Sequence, residues 1–314
     1  MVVAAEQEEA PSPTKASDKQ TAAKTTVADE STKNSDKDNE ANASESKDDN
    51  NALVADKATN KHNISAPADL FKQQQQDIKH YLVDEQVESI LVGTDEYLML
   101  VDQHTTAINK GVMILVPDWQ QSAASPSALK QLRMNMPAQG WTLLTIHPPH
   151  QPENYPSQAL TAQLRIEENR ESLEPYQSKL AAVINEVVKK AKNYPGAILT
   201  VAEGKQAAFM VNMIQKELIE PTNAMIMLSS YMPTVEENTT LAEQIALSEY
   251  PVLDLYLKRD HRLVIANAKS RKDRAKNELK VYYRQKQLNN QITGKYPKYS
   301  LTRSILGWLK SIGW

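Results

Sequence analysis

The chain has 314 residues, a formal net charge of −3 and no cysteine, which excludes a disulfide framework, thiolate metal ligation and a cysteine nucleophile. The charge is unevenly spread. Residues 1–60 hold thirteen acids and seven lysines but no glycine or aromatic residue, so they carry −6 and leave +3 on the remainder. No run of 18 apolar residues occurs, so no helix that spans a membrane is expected.

A segment so polar cannot bury enough apolar surface to offset the entropy of ordering it, and residues 1–65 are expected to form a disordered, acidic, low-complexity tail. The chain opens Met1-Val2-Val3-Ala4-Ala5-Glu6. Small residues running straight into an acidic stretch look like the end of an export signal, although the basic start and the apolar core of such a signal are missing. Two readings stay open: a periplasmic or secreted protein with a truncated signal peptide, or a cytoplasmic one.

Residues 66–80 read as a helix or linker leading into one domain over 81–314. Segments 87–92 and 97–103 flank a Gly93-Thr94-Asp95 turn and read as a hairpin. The run GVMILV at 111–116 is apolar throughout, as in a strand buried on both faces. A helix follows over 129–138, stopped by Gly140, then a strand over 141–146. Residues 151–176 are polar and show no strand. Beyond them alternate helix 177–192, strand 197–202, helix 205–217, strand 224–228, helix 239–247, strand 252–257, helix 264–277, strand 279–287 and helix 301–314. Short apolar strands alternating with helices predict the α/β class, a mostly parallel sheet covered on both faces. A hairpin ahead of such units is the layout of an α/β-hydrolase-like fold.

Three stretches, GVMILVPDWQQSAASP, LRMNMPAQGWTLLTIHPP and YPGAILTVAEGKQAA, give the folded part a resemblance to a bacterial family of α/β-hydrolase-like proteins of unknown function. The resemblance implies the fold and, by that fold's own pattern, a place for each catalytic group. The nucleophile belongs on a strand-to-helix turn of the form G-x-S-x-G. Here the turn is Ala202-Glu203-Gly204-Lys205-Gln206. Gly204 stands at the nucleophile position without a side chain; a register shift would put Glu203 there, with Lys205 where a small residue is needed. The oxyanion loop reads Pro117-Asp118, a residue without an N–H followed by a carboxylate that would repel an oxyanion. The loop after the last strand, 288–295, holds no histidine. Of the pattern only the acid remains, as Asp260, so the Ser–His–Asp mechanism is not available and a pseudoenzyme is expected.

Substitute sites are Ser229 and Ser230, after a buried strand, with Asp260 and His261 at the same sheet edge. These could carry esterase-like hydrolysis; equally, His261 could simply cap the following helix. His147 and His150, with Asp118 and Asp260, are the weak candidates for metal ligands, but the Pro148-Pro149 pair between them reads as a rigid exposed loop, and no metal or cofactor is expected. Residues 258–286 carry eleven lysines and arginines against three acids. This reads as a solvated face or as a surface for an anionic partner; no nucleic-acid motif is present. The C-terminal GWLKSIGW reads as the end of a helix packed on the sheet or, alternatively, lying in a membrane interface. The expected function is therefore binding of a small molecule or protein, with hydrolysis at the substitute site and an envelope adaptor role as alternatives. If the acidic tail screens the basic strip, deleting residues 1–60 is expected to raise salt-sensitive binding to anionic vesicles in a flotation assay; unchanged binding would refute the screening.

Overall fold

Whether the loops that follow two strands can meet depends on the order in which those strands lie in the sheet. In the computed structural model, which describes residues 69–82, 86–119 and 121–314, eight strands form one sheet. The expected tail over 1–65 lies outside the described residues, as do 66–68 of the leading segment. The strands are β1 (Val87–Val92), β2 (Asp95–Asp102), β3 (Gly111–Val116), β4 (Trp141–Ile146), β5 (Ala197–Glu203), β6 (Ala224–Leu228), β7 (Val252–Leu257) and β8 (Tyr283–Leu288), in spatial order β1-β2-β4-β3-β5-β6-β7-β8. β2 runs antiparallel to β1 and β4, and every other pair is parallel. The fold class expected from the sequence is therefore the one observed.

The chain leaves β3 for β4 on one side and leaves β5 for β6 on the other. That makes the β3/β5 boundary the switch point, where open α/β sheets hold ligands beyond the strand ends. The register pairs Val116 with Ala202. Two residues further on, Asp118 comes beside Gly204.

Both sheet faces are covered. Met113 and Leu115 of β3 pack with α2 (Ala128–Asn135) and α7 (Lys298–Ser311), whose Leu301, Ile305, Trp308 and Leu309 are buried. Val112, Ile114 and Val116 point the other way, into a core shared with α3 (Ala162–Ala191), α4 (Gly204–Gln215) and α5 (Val235–Leu247). Residue alternation along a fully buried strand thus feeds two cores at once. The last helix belongs to the core it shares with α2, as its apolar spacing predicts, rather than to a membrane interface. No helix among the described residues is long and apolar enough to cross a membrane. At the front, α1 (Leu70–Tyr81) buries Ile78, packs Phe71 against the larger core and ties Gln75 and Lys79 to Glu96.

Three expectations need correction. The polar stretch 151–176 contributes half of a 30-residue helix: α3 begins after Thr161, whose hydroxyl accepts the Leu164 N–H at 3.3 Å, and carries Pro175 inside. Up to Tyr176 it buries only Asn169, Leu173 and Tyr176, too few apolar positions for a periodicity to reveal it. β8 starts at Tyr283 rather than 279, because Leu279 has φ +53 and ends the helix before it. Helix α5 starts at Val235, four residues early, on a capping box between Thr234 and Glu237.

The basic segment 258–286 is also less uniform than a solvated strip. It supplies α6 (Arg262–Asn277), and Arg271 turns inward, fully buried. Its guanidinium donates to both Asp254 oxygens, at 2.8 and 3.4 Å, and to the Ser230 carbonyl at 3.1 Å. Tyr283 and Gln285 also donate to Asp254, at 2.8 and 2.9 Å. Removing one partner of a buried ion pair strands the other charge away from water. Arg271→Ala is expected to lower stability by about 3–5 kcal/mol in urea titration, and the double change Asp254→Leu/Arg271→Met to recover most of it.

Candidate functional site

The turn from β5 into α4 is the tightest point of the sheet edge. Gly204 has φ +59, a left-handed conformation that suits glycine and strains other residues. In active members of this fold the nucleophile stands at this turn and projects its side chain over the sheet edge. Here the left-handed conformation of the turn falls on Gly204, while Glu203 has φ −110 as the residue that caps α4.

The room a nucleophile would need is already filled. A Cβ built on Gly204 would overlap the Asp118 carboxyl group, with even the farther oxygen only 2.6 Å away. That carboxylate accepts the Lys205 N–H at 2.9 Å and also draws on the backbone amides of Trp119 and Gln206. In this fold the N–H after the nucleophile and one from the loop after β3 form the oxyanion hole. Here the amide after Gly204, that of Lys205, and one amide of the loop after β3, that of Trp119, both bond the Asp118 carboxyl group. A helix N-terminus is a natural anion site, and Asp118 fills it from within. Burial raises the Asp118 pKa above the ordinary carboxylate value, while the donors and the Lys205 charge pull it down. Pro117, the other residue of the degenerate oxyanion loop, lends no N–H.

Aromatic rings close the space above. The Lys205 ammonium lies 4.9 Å from the Trp119 ring centre and 5.8 Å from that of Tyr231. Trp119 stacks on Phe209 and donates its indole N–H to the Tyr176 hydroxyl at 2.9 Å, which also receives the Gln206 amide. Tyr231 stacks on His261, ring centres 4.5 Å apart.

Of the substitute residues, two come together. The Ser229 hydroxyl donates to Asp260 Oδ2 at 2.6 Å and lies 2.7 Å from the Tyr296 hydroxyl, which donates to the Leu255 carbonyl at 3.0 Å. Ser229 has φ +50, an uncommon conformation for serine. Asp260 is further held by the amides of Leu257 and His261, each at 2.8 Å. His261 does not join the pair: its Nδ1 accepts the Leu263 N–H at 3.4 Å as the cap of α6. Ser230 is fully buried and its hydroxyl has no partner among the described residues. Tyr296 lies on the loop after β8, the stretch in which the pattern places a histidine. Nothing in its sequence surroundings marks it.

The two loop histidines diverge. His147 is buried against Phe71, ring centres 4.8 Å apart, and burial lowers its pKa to about 4. His150 is half-exposed with Nε2 3.9 Å from Asp69. Neither meets Asp118 or Asp260, and among the described residues no three histidine or acidic side chains cluster as metal ligands.

A cavity of about 820 Å³ opens beside the elbow, between the start of α2 and the loop 289–297. It reaches Glu203 rather than Gly204. Burial pushes the Glu203 pKa up to about 8, with the charges of Asp118 and Asp260 adding to the effect and a hydrogen bond from Ser127 opposing it.

A family model described as "Protein of unknown function (DUF3530)" matches residues 2–311, and no curated protein matches the chain. Among solved structures, a thermophilic esterase from Thermogutta terrifontis superposes with a TM-score of 0.51 at 9% identity, over 73% of this chain and 93% of that one. The carboxylesterase of Lactobacillus plantarum gives 0.50 at 12% identity, over 72% and 97%. A dienelactone hydrolase from Anabaena variabilis gives 0.50 at 13%, over 72% and 98%. At such identities the likeness is one of fold.

The contact between Gly204 and Asp118 is directly measurable. Gly204→Ala is expected to destabilise by more than the ~1–2 kcal/mol of a left-handed alanine, since the methyl group must displace a carboxylate. In an Asp118→Ala background the same change should cost only that backbone part, so a double-mutant cycle in urea should give a coupling above about 1 kcal/mol.

Proposed function

The chain belongs to this family of unknown function and is built on the fold of the α/β hydrolases, and from its elbow we propose that it works by binding a ligand or partner rather than by hydrolysis. The observation that supports this most is the Asp118 carboxylate, which takes the volume of a nucleophile and the donors of an oxyanion hole together. A tetrahedral intermediate develops negative charge that needs those N–H groups; a resident carboxylate consumes the donors and repels the charge. Restoring activity would take more than a serine at 204.

One observation favours a second reading, esterase-like hydrolysis at Ser229. Its hydroxyl is already bonded to the Asp260 carboxylate and stands at the sheet edge beside Tyr296. Against it, both Asp260 oxygens are engaged by backbone amides, and His261 is turned to the α6 cap, leaving no relay from serine to histidine. An adaptor role in the cell envelope, through the acidic N-terminal segment and the exposed part of 258–286, is a third proposal that rests on charge pattern alone.

A fluorophosphonate probe with a panel of short acyl esters distinguishes the first two. The expected result is no labelling and no turnover above buffer. Labelling abolished by Ser229→Ala would overturn the binding reading in favour of hydrolysis at that serine.

A further inference from the structure

The turn from α6 into β8 lies at the last strand of the sheet, on the edge where the parallel strands begin and away from the elbow. α6 ends in a Schellman motif: the Leu279 N–H donates to the Lys276 carbonyl at 3.1 Å and the Lys280 N–H to the Ala275 carbonyl at 2.9 Å. Such a stop needs a left-handed residue at position 279, where glycine is usual. The chain has leucine there, at φ +53, with its side chain 81% exposed. A leucine in this conformation strains the backbone, and this one buries almost nothing of the fold in return. An outlier that the fold does not use is a reason to look for a use outside it.

The next residues extend the same surface. Val281 is 83% exposed and Tyr282 57%. Between them and Leu279, Lys280 turns inward: its ammonium donates to the Ser248 hydroxyl at 2.8 Å, to the Ser248 carbonyl, and to the Tyr250 carbonyl at 3.1 Å. The Tyr282 carbonyl accepts the Val252 N–H at 2.9 Å. Held inside, Lys280 throws its two apolar neighbours outward, and Leu247, next to Ser248, adds another exposed apolar side chain. Apolar groups gathered at one corner mark a contact surface, unlike the single ones scattered over every protein. Side chains so nearly free of neighbours stand out from the surface, so this corner is a protrusion and not a groove.

Charge narrows the choice of partner. Residues 269–286 hold eight lysines and arginines, of which Arg271 is spent inside on Asp254. The other seven face four acids, Asp273 and Glu278 with Glu243 and Glu249 of the α5 end. Lys269 takes Asp273 and Arg274 takes Glu243, while Lys272, Lys276 and Arg284 are exposed and have no ion pair among the described residues. Protruding apolar tips among free cations suit the boundary of an anionic bilayer, which accepts the tips between its lipids and offers phosphates to the cations. A second copy of the chain would instead bring like charges together. We propose that the α6–β8 turn docks this protein on an anionic lipid surface, with Leu279 and Val281 inserted, Tyr282 at headgroup level, and Lys272, Lys276 and Arg284 on the phosphates. This contact is independent of the elbow and of any ligand bound near it.

The test is co-flotation of the full chain with vesicles of equimolar phosphatidylglycerol and phosphatidylcholine, against vesicles of phosphatidylcholine alone. Binding to the anionic vesicles is expected to be tighter by roughly tenfold or more. Leu279→Gly removes the inserting side chain together with the strain, so Tm should hold or rise while binding weakens about tenfold. Val281→Ser should weaken binding several-fold at unchanged Tm. Because the chain has no cysteine, Val281→Cys can carry a single polarity-sensitive fluorophore, whose emission should shift to the blue on anionic vesicles only. No flotation of the unmodified chain, or no blue shift, overturns the proposal. Undiminished binding by Leu279→Gly and Val281→Ser also overturns it, leaving attraction by the basic segment alone. If sedimentation shows a dimer that Leu279→Gly dissolves, the turn is a self-association surface and the lipid assignment falls. None of these outcomes touches the binding reading of the elbow, which fluorophosphonate labelling decides.

Discussion

The backbone amides that open α4 must satisfy themselves somewhere, and the way they do so shapes everything around the switch point. A helix N-terminus presents unpaired N–H groups and a partial positive charge. Hydrolases of this fold leave two such donors vacant for an intermediate that exists only during turnover. Here Asp118 occupies them permanently, 2.9 Å from the Lys205 N–H, and the sheet register that pairs Val116 with Ala202 delivers it there. The arrangement also needs position 204 to lack a side chain, since any Cβ would collide with the carboxyl group. The bare position at Gly204 and the seat of the Asp118 carboxyl group are therefore one structural fact seen from two residues.

Consequences spread from that carboxylate. The Asp118 charge, set in a buried place, helps hold Glu203 protonated. Lys205, one position past the elbow, is drawn over Trp119 and Tyr231 rather than into open solvent. The Trp119 indole in turn braces Tyr176 of α3, and Tyr176 receives Gln206 of α4. The neighbouring strand ends are closed by a second set of bonds, Ser229 to Asp260 and Tyr296, while the buried Arg271 holds the carbonyl of Ser230. Polar groups at these strand ends thus hold one another.

How far this was readable from sequence depends on which force set each feature. The strands were legible because GVMILV and its counterparts are apolar at every position, the signature of burial on both faces. The first half of α3 was not, because it buries only Asn169, Leu173 and Tyr176 rather than a full stripe of aliphatic residues, and Asn169 is there to accept the Ser157 N–H at 2.7 Å. The vacancy at Gly204 followed from a short motif. That Asp118 fills it did not, since residues 86 positions apart are joined only by the sheet register. Tyr296 lay hidden for the same reason: its hydroxyl reaches Ser229 across 67 positions. The nearness of Ser229 to Asp260 was foreseeable from their shared sheet edge, whereas the withdrawal of His261 into a helix cap depended on local backbone geometry that a shared edge does not determine.

The position of the cavity completes this logic. Plugging the elbow removes ligand space directly above Gly204, and the remaining opening is displaced along the β3–α2 loop to Glu203. A hydrolase directs backbone N–H donors into its pocket, so its natural guest is an acceptor such as an ester carbonyl. In this chain the Lys205 N–H is bonded to Asp118, and the displaced cavity is lined by Glu203 together with Lys295 and Lys298. With the nearby amides committed to Asp118, burial first and then the neighbouring carboxylate push the Glu203 pKa up to about 8.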